Sequence, residues 1–600
     1  MSSIFGIWGE CPQETPQLMG SCLAHRGGAQ QIECPAQNLT FGAGTSDTES
    51  YFYSDGEFSI VCDGAIYNRH ELLQAGSAED NALCGAESSA ELLLNLFRTG
   101  GLEVLEAVDG DFAFAVWDKQ KKALTLGRDA CGTRPLYYAI LKDGRGLAFA
   151  SEYKALLGLE GVNVDPDLDM LQCLQYCKKL PLGRTLIKGI QAVLPGSIAT
   201  FTDMGAKVSC VEMAALGVDE RLSDEAQAIS EIRRTLSGAI ERRVSNPSRI
   251  GIALSGGIDS IGIAFICRSL FPQAEIHTFT AGFGDQKLEI ETAADVARAI
   301  GAHHHAVQTP PGLMKDHLEK LVWHLEDPIA RSESLQLLKI GQVASSCVDS
   351  LLCGMESDAL FAGMSRHKVL RMMSRWGRCP FARKALGDIY NLGQNGLPPR
   401  SVVGMLLARL CFRNMSAPVP KVEGSCYVPA RTEFPKERSQ LVNRFLAASF
   451  RKGACQDGQK LERTFAAWGV QYRSPFLDRE LVKTAFSIPD DLKFKNGQNK
   501  YILRKALEAW VPKEFSHTPK KPQRMNYDLE FAAALDEAVE RCFYEDLADS
   551  NRIFSPGCVE ALKLRKRNGV YRDEEGMRIW TAVLTKIWHK QFVLRSPLYC

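Results

Sequence analysis

The sequence has no surplus of charge in either direction: 71 Lys and Arg offset 71 Asp and Glu over 600 residues. A chain so balanced exerts no general pull on nucleic acid or on an anionic membrane, and neither is expected as a partner. No apolar run approaches the ~18–20 residues that span a bilayer. The start, Met-Ser-Ser-Ile-Phe-Gly-Ile-Trp-Gly, lacks the basic and apolar segments of a secretory signal, so a cytoplasmic setting is expected. Repeats of ~20–50 residues and low-complexity stretches are also missing. Nineteen cysteines are present, yet no Cys-x-x-Cys pair recurs at zinc-finger spacing. Their odd number in a long chain fits free thiols rather than a disulfide framework. In the run His303-His304-His305, consecutive strand residues alternate faces and do not converge on one ion. The run reads as the end of a strand, with one histidine available to substrate.

What is present is ordinary for a soluble globular protein, 45% hydrophobic and 24% charged. Length alone suggests roughly four domains of ~150 residues. The texture, however, changes once, near residue 205. Before it, short β-rich runs such as Glu57–Cys62, Ala113–Trp117, Ala123–Leu126 and Leu147–Ala150 are broken by few helices, of which Ser88–Arg98 is the clearest. Antiparallel sheets packed on each other are predicted. A linker over 206–223 precedes a helix from about Asp224 to Arg243. From there strands alternate with helices: Arg249–Leu254, Glu275–Ala281, His304–Gln308 and Ser350–Cys353 read as strands of a parallel sheet. Such sheets bind ligands at the carboxyl ends of their strands. Beyond residue 365 nearly everything reads helical.

The sharpest signal is Leu254-Ser255-Gly256-Gly257-Ile258-Asp259-Ser260, between a buried strand and a helix. Two glycines let successive N–H groups turn inward at a helix N-terminus, which makes an anion cradle. Ser255 and Ser260 add hydroxyl donors. Asp259 sits badly against a bare phosphate and so implies an intervening Mg²⁺. No Gly-Lys-Ser/Thr follows, so this is not the Walker pattern.

The string resembles the pyrophosphate loop of the ATP pyrophosphatases, which adenylate a substrate with release of pyrophosphate. Further strings narrow the resemblance to the asparagine synthetases. They are Cys353-Gly354-Met355-Glu356-Ser357-Asp358-Ala359-Leu360-Phe361-Ala362-Gly363, Arg473-Ser474-Pro475-Phe476-Leu477-Asp478, Lys500-Tyr501-Ile502-Leu503-Arg504 and Pro519-Lys520-Lys521-Pro522. The resemblance implies an α/β parallel-sheet ATP-pyrophosphatase domain over 224–600, with a large helical portion. It implies ATP and Mg²⁺ as cofactors, with Asp259 and Asp358 on the metal and Cys353 and Gly354 in the nucleotide site. Lys520 would set a cation on developing charge; Lys500 is either a similar contact or an exposed basic residue. Met355 replaces the family's glutamate and cannot serve as acid or base. Glu356 either substitutes for it or stands as a solvated or Mg²⁺-side carboxylate. Ala359 and Gln471 also replace family glutamates.

Residues 1–205 resemble a class II glutamine amidotransferase, an α+β sandwich of the N-terminal-nucleophile type. The likeness rests on His25-Arg26-Gly27, Asp63-Gly64-Ala65-Ile66-Tyr67-Asn68, Arg128-Asp129 and Arg134-Pro135-Leu136-Tyr137-Tyr138. Ser2 stands where that family has its nucleophilic cysteine, and Asp63 where it has an oxyanion-hole asparagine. Ala65 and Ser89 replace the acids that hold the glutamine amine. Losing one oxyanion donor typically costs ~10²–10³ in rate. With these losses around Gly64 and Arg26, the glutaminase is expected to be dead and the domain kept for packing. Relatives that lack the cysteine, such as β-lactam synthetase and the lasso-peptide cyclases, let an amine of the substrate displace AMP. The expected function is therefore macrolactam closure in a peptide, of the lasso-peptide cyclase type. Small-molecule lactam formation, an asparagine synthetase and a non-catalytic nucleotide-binding homologue are the alternatives. The expected partners are a substrate carrying both carboxylate and amine, and a leader-peptide protease of the same pathway.

Overall fold

The central strands of the amino-terminal third are apolar on both faces because both faces are covered. In β6 (Gly110–Asp118), Ala113, Ala115 and Trp117 face a core between two sheets, while Phe112, Phe114 and Val116 face a helix. β1 (Ser2–Trp8) divides in the same way, with Ile4 and Trp8 inward and Phe5 and Ile7 outward. The Trp8 and Trp117 rings meet edge to face across the core, 5.2 Å between centroids. The computed structural model describes residues 1–45, 51–75, 86–100, 107–141, 146–177, 179–202, 205–207, 218–219, 221–282, 287–310, 312–328, 333–364, 367, 370–371, 440–516, 529–543, 553–554 and 573–594.

The remaining strands of this part are β2 (Ala29–Ala36), β3 (Leu39–Thr45), β4 (Phe52–Ser54), β5 (Phe58–Ile66), β7 (Ala123–Arg128), β8 (Tyr137–Ile140), β9 (Leu147–Ala150), β10 (Ile190–Ala192), β11 (Ile198–Thr202) and β12 (Gly205–Lys207). They form two six-stranded antiparallel sheets, β10-β8-β9-β1-β3-β2 and β12-β11-β7-β6-β5-β4. Helix Ser89–Gly100 covers the outer face of the second sheet through Leu92, Leu93 and Leu96. The outer face of the first sheet is covered by helix Thr15–Cys22 and by helices from the far end of the chain. The result is the expected α+β sandwich, and β12 extends its sheet to residue 207, into the span read as linker.

The second part is built on a five-stranded parallel sheet in the order β15-β14-β13-β16-β17. Its strands are β13 (Arg249–Ala253), β14 (Glu275–Gly282), β15 (His303–Gln308), β16 (Ser350–Cys353) and β17 (Gln471–Arg473). Helix Glu225–Arg243 starts where expected, because the Asp224 carboxylate accepts from Gln227 N at 2.7 Å and caps it. Strand order reverses between β13 and β16, and a crevice opens at such a switch point. The region beyond residue 365 is not wholly helical. β17 completes the sheet there, and Phe494–Lys495 pairs with Gln498–Asn499 around a tight Asn496-Gly497 turn. Both turn residues have positive φ, 54° and 72°, the requirement of this hairpin type. Helix Leu441–Ala466 matches the helical expectation, while 372–439 lie outside the described residues. Among the described residues no helix is long and apolar enough to cross a membrane, and no disulfide joins the cysteines.

Candidate active site

β13 delivers the Ser255–Ser260 loop to the switch point, and β16 delivers Gly354–Asp358 beside it. Gly256 has φ +67°, a conformation that other residues adopt only under strain. Gly354 is required for a different reason. A Cβ there would lie 3.0 Å from Asp259 Cβ and 3.1 Å from Ser260 N, so the two loops touch only because it has none. Inside the loop, Ser255 N donates to Ser260 Oγ at 3.1 Å, and Ser260 Oγ donates to Gly257 O at 3.0 Å. These bonds hold the cradle in shape at the N-terminus of helix Ile258–Leu270.

Asp259 and Asp358, from the two loops, meet at Lys500. The Lys500 ammonium lies 2.6 Å from Asp259 Oδ2 and 2.5 Å from Asp358 Oδ1. Ser357 Oγ donates to Asp259 Oδ1 at 2.6 Å. Lys500 is 5% exposed, and the two carboxylates hold its pKa above the ordinary lysine value against the effect of burial. The exposed-residue reading of Lys500 therefore does not apply. Its own backbone is left-handed, φ 55°, as are those of Glu356 and Ala362 at 71° and 58°. Such strain persists where packing over-determines it and gathers at functional sites. Two carboxylates that share one ammonium are close enough to share a divalent cation, and hard oxygen ligands suit Mg²⁺. Asp259 and Asp358 are the residues that would hold it, and it would there neutralise phosphate charge.

A cavity of about 240 Å³ opens from this cluster, lined by Ser255, Asp259, Ser260, Cys353, Gly354 and Glu356 together with Glu289, Glu333, Gln336 and Asp457. Glu356 is buried against it, and its carboxyl is pushed up to about 8, first by burial and then by the charge of Asp457. Met355 is among the more exposed large apolar residues, at 36%. Asp457 pairs with Lys179 of the amino-terminal part at 2.8 Å. Asp457, Glu333 and Gln336 were not anticipated, since they lie on helices with no local motif. Lys520, with Lys521, lies outside the described residues; Arg504 donates to Ser516 O at 2.6 Å, just before that segment. The string Arg473–Asp478 acts as a strut. Asp478 caps helix Arg479–Phe486 and pairs with Arg242 and Arg243, both at 2.7 Å, while Ser474 Oγ donates to Met355 O at 2.9 Å. His303–His305 open β15 at its amino end and are not among the residues that line this cavity.

The counterpart of the glutaminase site is packed with charge. Ser2 Oγ donates to Asp63 Oδ1 at 2.5 Å, and neither residue is exposed beyond 2%. Arg26 donates to Ser2 O at 3.3 Å and to Glu152 Oε1 at 2.8 Å, and pairs with Glu462 of the long helix. Arg134 joins the same glutamate at 3.1 Å. Gly64 lies on β5 with Asp63; Ala65 follows half-buried, and Ser89 is buried at the start of its helix.

The asparagine synthase family model matches residues 231–590, more than half of the chain. The chain belongs to the asparagine synthase family. A glutamine amidotransferase domain matches residues 1–210. The chain is 26% identical to glutamine-hydrolyzing asparagine synthetase 1 of Bacillus subtilis, over 96% of this chain and 93% of that protein. It is 26% identical to a putative glutamine-hydrolyzing asparagine synthetase of Mycobacterium tuberculosis, over 90% of this chain and 85% of that one. It is also 26% identical to amidase chyE of Penicillium rubens, over 79% and 78%. As a member of the family, the protein is an ATP-dependent ligase that forms amide bonds through an adenylate.

Proposed function

We propose that this asparagine synthase family member adenylates a carboxylate of a peptide and closes a macrolactam with an amine of the same peptide, using no glutamine. The observation that carries this reading is the Ser2–Asp63 pair. The hydroxyl that would attack glutamine is bound 2.5 Å from a buried carboxylate, at the position where negative charge would have to develop. A donor there stabilises an oxyanion, and an anion opposes it. Arg26, the remaining family residue, is spent on Glu152 and Glu462. On this reading glutamine no longer supplies ammonia, while the ATP side keeps its loop, its two carboxylates and Lys500.

On this reading the Ser255–Ser260 loop takes the phosphate oxygens, and Asp259 and Asp358 hold Mg²⁺. Lys500 balances their charge, and Glu356 takes the proton from the attacking amine. Holding amine and acyl carbon together contributes ~7–11 kcal/mol by itself, so the base has a modest task. The names of the relatives favour one other reading, an asparagine synthetase fed with ammonia.

The test supplies ATP, Mg²⁺ and linear peptides that carry both a side-chain or terminal carboxylate and a free amine. A product lighter by one water, with AMP and pyrophosphate formed and glutamine left intact, is expected. Conversion of aspartate to asparagine, or glutamate release from glutamine that disappears in Ser2→Ala, would overturn the proposal.

A further inference from the structure

β14 and β15 run parallel with His277 opposite His303 and Phe279 opposite His305. The amino ends of these strands lie at the edge of the sheet away from the Ser255–Ser260 loop, so the histidines belong to no part of the site above. The turn between helix Glu333–Ala344 and β16 brings Cys347 to them. His277 Nδ1 lies 3.1 Å from His305 Nε2, and Cys347 Sγ lies 4.0 Å from that same nitrogen. All three donor atoms fall within 4.8 Å of one another. On the far side of its ring, His277 Nε2 meets Glu275 Oε1 at 3.1 Å.

We propose that His277, His305 and Cys347 form a binding site for a Zn²⁺-class transition-metal ion, with water at the fourth position. The protonation pattern supports this. An ionised carboxylate only accepts, so Glu275 places the His277 proton on Nε2 and turns the Nδ1 lone pair inward. His305 Nε2 faces both that lone pair and the sulfur, and one ring nitrogen carries at most one proton. A cation satisfies all three groups together. Zn–N of ~2.0–2.1 Å and Zn–S of ~2.3 Å imply N···N of about 3.3 Å and N···S of about 3.6 Å in a tetrahedron. The observed 3.1 and 4.0 Å lie on either side of these values. Glu275 is then the carboxylate that orients a metal-bound histidine. Helix Glu333–Ala344 lines the nucleotide cavity through Glu333, Gln336 and Ile340, so the ion would fasten the other end of that helix to the sheet.

The full chain, freed of metal, is titrated with Co²⁺ as a spectroscopic stand-in. One equivalent should produce a thiolate-to-cobalt charge-transfer band and the intense visible bands of a tetrahedral ion, both removed by Zn²⁺. Cys347→Ser should lose the charge-transfer band, and Cys34→Ser, at an exposed cysteine, should keep it. Glu275→Gln should weaken binding about 10–100-fold. As an independent readout, Zn²⁺ should raise the melting temperature of the wild type and leave that of His305→Gln unmoved. A band that persists in Cys347→Ser, or the lack of any saturable one-equivalent binding in the wild type, would overturn the assignment.

Discussion

Asp259, Asp358 and Lys500 neutralise one another at the mouth of the loop, with ammonium-to-carboxylate distances of 2.6 and 2.5 Å. Removing the ammonium leaves two carboxylates facing each other without the side-chain cation that balances them. Lys500→Met should therefore lower substrate-dependent pyrophosphate release by ~10²–10³, as measured by a coupled phosphate assay. On the proposed mechanism Glu356 would carry the pH dependence. Burial and the charge of Asp457 push its carboxyl up to about 8, and only the carboxylate accepts the amine proton. The rate of amide formation should rise as pH passes up through that value, and Glu356→Gln should flatten this limb of the profile. An unchanged profile in the variant would remove Glu356 from the reaction.

Among the elements, the long helix Leu441–Ala466 does the joining. It offers Glu462 to Arg26 and Arg134, and Arg463 to Glu326, all of them buried. Arg26→Ala would leave Glu462 and Glu152 short of a countercharge, which typically costs ~3–5 kcal/mol. Chemical denaturation should show that loss, whereas pyrophosphate release at saturating ATP should stay near wild type. The element scale also shows where patterning was readable. β6 carries the apolar run Phe112–Trp117 and β13 the shorter Ile250–Ala253, each bounded by polar residues or a turn. β17 has three residues, Gln471–Arg473, and no period can be read from so few. The hairpin before Lys500 did have a local sign, Asn496-Gly497, whose positive φ values suit a two-residue turn. It lay unread among helical runs.

Over the whole molecule, one hydrophobic cluster belongs to both parts. Phe5, Ile7, Tyr137 and Tyr153 from the sandwich pack with Leu318, Leu321, Trp580 and Trp588 from the rest of the chain. The amidotransferase-like part is thus a wall of the synthetase core. Expressing 224–600 alone should expose that apolar face and give aggregated protein on size-exclusion chromatography. A monodisperse, folded fragment would contradict the packing account.

Composition and motif order were sufficient for the two-part architecture, the phosphate loop and the residue types, Ser2, Asp63, Ala65 and Ser89, on which the reading of a dead glutaminase rests. Those are local properties: a glycine-rich turn between strand and helix, or a residue type at a given place in a string. The tertiary structure decided what depends on distant chain segments meeting. It put Lys500 between Asp259 and Asp358, Glu462 onto Arg26 across 436 positions of sequence, and Glu356 into a low-dielectric cavity. The histidine run shows the difference most directly. Strand alternation correctly separates His304 from its neighbours, yet the proposed metal site draws on His277 and Cys347, which only the sheet register and the helix-to-strand turn bring to His305.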